Sequence, residues 1–128
     1  MSEVVRLTFV SHTMTDAMAA GRFPTDEPLN SVGRSQLAAV ELGGADRTFC
    51  GPETRTIQTA DLLGLTATVE SRLADLDCGR WRGEVLGRVA PDELAIWLID
   101  PGRAAHGGET VVGLIERVGS WMESMTSE

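Results

Sequence analysis

The sequence predicts one α/β domain built on a largely parallel sheet, and three observations carry this. Short β-rich runs alternate with helix-length segments along the chain, the pattern of strand–helix–strand units. The first run, V-V-R-L-T-F-V at residues 4–10, lacks the alternation of a half-solvated strand and suits one covered on both faces. A chain of 128 residues has room for one domain with a respectable core and little else.

The elements follow in order. The first strand, residues 4–10, ends at Ser11-His12-Thr13. Polar groups thus stand at its carboxyl end, where ligands sit in open α/β sheets. Residues 14–23 suit a helix or an irregular segment equally, and 24–30, with two prolines and two acids, form a loop. Asn30 suits the N-cap of a helix over 31–42 that Gly43-Gly44 stops. Residues 47–50 form a short second strand, Gly51-Pro52 turns the chain, and a helix over 53–63 closes at Gly64. Residues 66–70 read as a third, weak strand, and 71–89 as a glycine- and arginine-rich loop without periodicity. A short helix over 91–98 has Pro91 in its first turn. Finally, Val111, Ile115, Val118, Met122 and Met125 recur at steps of four and three, with Leu114 and Trp121 widening the stripe. That is an amphipathic helix over 109–125 with its apolar side toward the core.

Composition narrows the function classes. Apolar content of 42% marks an ordinary globular chain rather than a disordered one. The net charge of −8 argues against nucleic acid and membrane surfaces as partners, yet leaves room for a local basic pocket. Cys50 and Cys78 form no C-x-x-C and have no histidine pair nearby. They read as buried thiols in a reducing compartment, with neither a disulfide framework nor a metal site, and no cofactor is expected. The N-terminus lacks the charged start and apolar stretch of a signal peptide. No run approaches the ~20 apolar residues of a membrane span. A cytoplasmic protein is expected.

Three stretches carry chemistry: F-V-S-H-T-M-T around His12, C-G-P-E-T-R-T-I-Q-T-A around Arg55, and R-L-A-D-L-D-C-G-R-W-R-G around Asp75. A neutral imidazole at a strand end can attack phosphorus and divide one difficult step into two. Phosphoryl oxygens need cationic donors, which arginine's planar fork supplies best, and a helix N-terminus adds amides and a favourable dipole. A carboxyl group beside the phosphate can donate the proton that the leaving oxygen needs. His12, Arg55 and Asp75 can fill these roles.

These segments resemble the histidine phosphatase, or phosphoglycerate mutase-like, superfamily. S-H-T at 11–13 is similar to the family's R-H-G, and the likeness continues through G-R-F at 21–23 and P-L-N-S-V-G-R-S-Q at 28–36. R-T-I-Q-T-A at 55–60 matches the second arginine motif closely, L-A-D-L-D-C-G-R-W-R-G at 73–83 the proton-donor loop, and G-G-E-T at 107–110 a helix start. The resemblance implies a three-layer α/β/α fold in one domain over residues 1–128. It makes His12 the phosphorylated nucleophile, Arg55 a phosphate clamp and Asp75 the occupant of the proton-donor position. Ser11, Thr13 and Arg22 fall among the phosphate-binding positions, with Arg80 and Arg82 as further candidate cations.

Three departures from the pattern matter. Ser11 replaces the family's first arginine, and Thr13 replaces a glycine that lets phosphate approach. The family's second pocket histidine lies on a strand beyond the helix that begins at G-G-E-T, and this sequence stops at Met125-Thr126-Ser127-Glu128, where that strand would begin. The domain is therefore expected to be incomplete at its C-terminus, with a sheet edge exposed to self-association, aggregation or a strand supplied in trans. His106, the other histidine, reads as a surface-loop residue. The expected function is hydrolysis of phosphate monoesters through a phosphohistidine at His12, weakened by these losses. The alternatives are a non-catalytic protein that binds phosphate or a phosphate ester, and phosphoglycerate mutase-type phosphotransfer.

Overall fold

Two short strands, β1 (Phe49–Cys50) and β2 (Thr68–Val69), pair in parallel with Phe49 opposite Thr68 and Cys50 opposite Val69. The computed structural model describes residues 4–126, so the extreme ends of the terminal expectations lie outside the described residues. Around the pair run α1 (Asp16–Ala20), α2 (Ser31–Leu37), α3 (Thr54–Leu62), α4 (Pro91–Ile99) and α5 (Val111–Thr126). No helix among the described residues is long and apolar enough to cross a membrane.

Local chemistry explains the helix boundaries. Thr15 caps α1 by accepting from the Met18 amide, and Gly21, at φ 66°, stops it in the left-handed region where a Cβ is disfavoured. Asn30 caps α2 through a bond from the Gly33 amide at 2.9 Å. That helix ends at Leu37, five residues short of the end at Leu42 expected from sequence, because residues 38–42 lack a buried face. Pro91 opens α4, where its missing N–H costs nothing.

Residues 4–10 correct the expected first strand. They form no ladder, and Val4, Phe9 and Val10 are exposed. Strand propensity there is high, but a strand exists only with a partner. Among the described residues the ladders are β1–β2 and two isolated bridges, Thr15 to Leu29 and Arg22 to Val85.

The segment over 71–89 is irregular, as the sequence leads one to expect, and it also holds part of the core. Cys78, Trp81 and Val89 are buried there, packed by Phe23, Leu76, Leu94, Trp97 and Ala105. Phe23, Trp81 and Trp97 meet with ring centroids 5.3–6.1 Å apart, tilted or edge to face, the arrangement their quadrupoles favour. Three 3-10 turns, at Ser71–Leu73, Gly79–Trp81 and Leu86–Arg88, shape this segment.

The α5 stripe is rotated from its expected position. Val111, Leu114, Val118, Trp121 and Met125 face inward at steps of three and four, and Ile115 and Met122 face out. Trp121 meets Phe49 of β1 edge to face at 5.6 Å, which joins α5 to the first strand of the pair.

His106 is also not on the surface: it is fully buried. Its Nδ1 accepts from the Gly108 amide at 3.0 Å, so its proton sits on Nε2, which is buried without a partner. The ring stands edge to face on Trp81 at 5.0 Å. Burial pushes its pKa below the ordinary value, with Arg80 adding to the effect and Asp77 opposing it. The folded protein thus binds this proton less readily than the unfolded chain, whose imidazole titrates near about 6.5. Stability from this group is complete above that value and declines as the pH falls through it toward the lowered folded value. Thermal midpoints measured from about pH 7.5 down to about pH 5.5 should fall more steeply for the wild type than for His106→Phe. Parallel curves would show that His106 is not buried in its neutral form.

Candidate active site

Three segments distant in sequence converge on one guanidinium. The first is residues 11–14, held against α2. Thr13 Oγ1 donates to the Gly33 carbonyl at 2.7 Å, and a Cβ at Gly33 would stand 2.3 Å from the Met14 carbonyl oxygen. Only a glycine lets α2 approach this closely. His12 is oriented within that hold, its Nδ1 2.8 Å from the Thr13 carbonyl oxygen. A carbonyl oxygen only accepts, so in the neutral ring Nδ1 carries the proton and Nε2 presents its lone pair.

The second segment is the first turn of α3. Arg55 is 3% exposed. Its Nε donates to His12 Nε2 at 3.3 Å, Nη1 to the Thr25 carbonyl at 2.9 Å, and Nη2 to Asp75 Oδ2 at 2.8 Å. Glu53 is the N-cap residue of α3, yet its side chain does not cap. Asp26 takes that duty from a separate loop, accepting from the Thr54 amide at 2.7 Å and the Thr54 hydroxyl at 3.1 Å.

The third segment carries Asp75, whose side chain is half exposed. Its Oδ1 accepts from the Leu76 amide at 2.8 Å, and its own amide donates to Glu53 Oε2 at 3.0 Å. Two adjoining cavities, of about 270 and about 350 Å³, share Glu53, Arg55 and Asp75. Ser11 and His12 line the larger, and Asp26, Asp77 and Arg82 line the smaller.

The structure thus brings His12, Arg55 and Asp75 together. Ser11 borders them, its hydroxyl donating to the His12 carbonyl at 3.0 Å. Thr13 lies beside them with its hydroxyl committed to Gly33. Arg22 is exposed and lines neither cavity. Arg80 turns away to the Ala105 carbonyl at 2.6 Å and to Glu93 at 3.6 Å. Cys78 is buried beside the site, and burial first, with Asp75 and Asp77 adding to it, pushes its thiol pKa up. It is therefore a packing group rather than a nucleophile.

Two contributors escaped the sequence reading. Glu53 had only one signal, a carboxylate two residues before the arginine in P-E-T-R. Arg117 had none. It forms a two-pronged ion pair with Glu109, at 2.9 Å from Nε and 2.7 Å from Nη2. Hydrogen bonding from Arg117 holds the Glu109 carboxyl below its ordinary range against the opposing effect of burial, and Glu109 in turn raises Arg117. Among the described residues no three His, Cys, Asp or Glu side chains gather closely enough to hold a metal ion.

A profile of the histidine phosphatase superfamily (branch 1) matches residues 7–128. Phosphoserine phosphatase 1 of Hydrogenobacter thermophilus is 26% identical over 136 aligned positions, covering 95% of this chain and 64% of that protein. The chain therefore spans less than two thirds of that relative's length. Among solved structures, Mycobacterial hydrolase 1 is similar with a TM-score of 0.81 and 28% identity, over 91% of this chain and 62% of its own. Phosphoglycerate mutase from Thermus thermophilus has a TM-score of 0.76 and 25% identity, over 88% and 67%. TTHB049 from the same organism has a TM-score of 0.76 and 26% identity, over 89% and 69%.

Because Arg55 ties three segments together from a buried position, it should matter to the fold as well as to any ligand. Arg55→Lys keeps the charge but cannot reach all three partners, and should lower stability by about 1–3 kcal/mol in urea unfolding. An unchanged midpoint would mean that these bonds form only incidentally.

Proposed function

The chain belongs to the histidine phosphatase superfamily (branch 1), and from that premise we propose that it takes small phosphate monoesters and hydrolyses them through His12. The observation that carries this reading is the lone pair of His12 Nε2, set 3.3 Å from a guanidinium nitrogen of the buried Arg55. An anion that accepts from Arg55 at that place is within reach of the imidazole.

In the first half-reaction His12 Nε2 attacks phosphorus. An N–P bond forms and the ester P–O bond breaks. Asp75, in its acid form, gives its proton to the leaving oxygen. In the second, water attacks the phosphohistidine and passes a proton to the Asp75 carboxylate. The N–P bond breaks, its electron pair returns to Nε2, and inorganic phosphate leaves. Arg55 serves both halves by donating to the phosphoryl oxygens, a role in which its planar fork exceeds lysine. The Thr13 carbonyl holds the ring so that the reacting nitrogen stays unprotonated. Arg82, which lines the smaller cavity, is better sited than Arg22 to meet the remainder of the ester. The name of one relative, a phosphoserine phosphatase, supports the phosphomonoester class.

A second reading draws on Ser11. Its hydroxyl donates to the His12 carbonyl at 3.0 Å, so the position supplies no cation, and Arg55 already has partners for three donors. That favours a phosphate-ester binding protein with weak or absent turnover. The two readings differ in whether phosphorus becomes bonded to nitrogen. Incubation with a radiolabelled phosphate monoester and rapid quenching under alkaline conditions should leave acid-labile label on the wild type and none on His12→Ala. Label on neither, with the ester still bound, would leave the binding role. In the same series Ser11→Arg should tighten inorganic phosphate or vanadate about tenfold, the effect of one charge-assisted bond. Unchanged affinity would mean that Arg82 or another cation already fills the place.

A further inference from the structure

The peptide unit between Ala74 and Asp75 is gripped at both ends. Its carbonyl oxygen accepts from Arg117 Nη1 at 2.8 Å, and its N–H donates to Glu53 Oε2 at 3.0 Å. Arg117 Nη1 also donates to the Arg72 carbonyl at 2.8 Å, so one guanidinium holds two carbonyls of the same turn. Glu109 in turn holds Arg117 through two bonds, both from α5 and its approach. On the other side, Glu53 can cross to Asp75 because Asp26 has relieved it of capping α3.

A peptide unit is planar and rigid, so holding both its oxygen and its nitrogen leaves it only a turn about the line between them and narrows where the next Cα can lie. That next residue is Asp75. Its side chain is short, and rotation about two bonds is all that separates its carboxyl from the main chain. The main-chain position therefore decides where the carboxyl lies. A residue placed about 1 Å away from its working position can lose about a hundredfold in rate.

We propose that Glu53 and the Glu109-held Arg117 are positioning residues whose grip on the 74–75 peptide sets Asp75 against a phosphate ester bound at His12 and Arg55. The assignment of a proton to Asp75 rests on the hydrolytic reading above, but the grip does not. In this role both groups act through the main chain of the loop and not on the reacting atoms. Arg117 acts from α5 and Glu53 from the start of α3, so the loop between them is registered against two helices at once.

The test compares two esters that differ in their need for an acid. An alkyl phosphate leaves poorly and requires the proton, whereas an aryl phosphate with an acidic phenol does not. Arg117→Met and Glu53→Ala should each slow kcat for the alkyl ester about ten- to a hundredfold, and the aryl ester far less. Glu53→Gln, which keeps an acceptor oxygen, should recover most of the loss seen with Glu53→Ala. Equal losses on both esters, or no recovery with glutamine, would overturn the proposal and leave a general structural effect. If the wild type hydrolyses neither ester, the hydrolytic reading is overturned instead, and hydrogen exchange at the Asp75 amide decides the grip. Exchange there should speed up in Arg117→Met and Glu53→Ala while amides in the middle of α3 and α5 keep their protection. An unchanged Asp75 rate in both variants would overturn the grip itself. Should Arg117→Met fail to fold, Glu53→Ala applies the same test from the opposite side.

Discussion

A guanidinium that water barely reaches must find acceptors inside the protein, and Arg55 finds them on three segments far apart in sequence. It reaches His12 behind the N-terminal run, Thr25 in the loop before α2, and Asp75 beyond the second strand. Leaving such donors unmet would cost several kcal/mol, so those segments are bound to a common position wherever Arg55 is buried. The same constraint shapes the site. The His12 ring faces the arginine with its lone pair because Thr13 holds the other nitrogen, and Asp75 meets it because the 74–75 peptide is fixed.

Around this centre the supporting contacts divide into two kinds. Close backbone approach holds the His12 side, where Gly33 admits α2 to within contact of Met14. Charged hydrogen bonds hold the Asp75 side, through Glu53 and the Arg117–Glu109 pair. Packing tolerates little displacement, whereas a hydrogen-bonded loop can give way when its partners change. His12 thus sits on the side held by close packing and Asp75 on the side held by charged hydrogen bonds.

The parts of the fold legible in the sequence were those set locally. Asn30 as a cap and Pro91 as a first-turn residue need only their neighbours, and α5 needed only its period. Residues 4–10 misled because strand propensity is local and pairing is not. The loop over 71–89 was legible as a loop, but its burial was not. Its core comes from Trp81 meeting Phe23, Trp97 and His106, residues that no periodicity connects. His106 looked like a surface residue for the same reason. In the site, His12, Arg55 and Asp75 stood in recognisable strings, but Arg117 reaches the site through two main-chain carbonyls, and a carbonyl leaves no mark in a sequence.

The central claim is that an anion enters between His12 and Arg55 and takes over the bond that Arg55 Nε makes to the imidazole. Nitrogen-detected magnetic resonance of the two side chains during titration with inorganic phosphate follows both partners of that bond. His12 Nε2 should begin as the unprotonated ring nitrogen, and its signal should move in step with Arg55 Nε–H to a common saturation point. Phosphate that leaves both signals in place, or shifts exposed arginines such as Arg22 alone, would contradict the account.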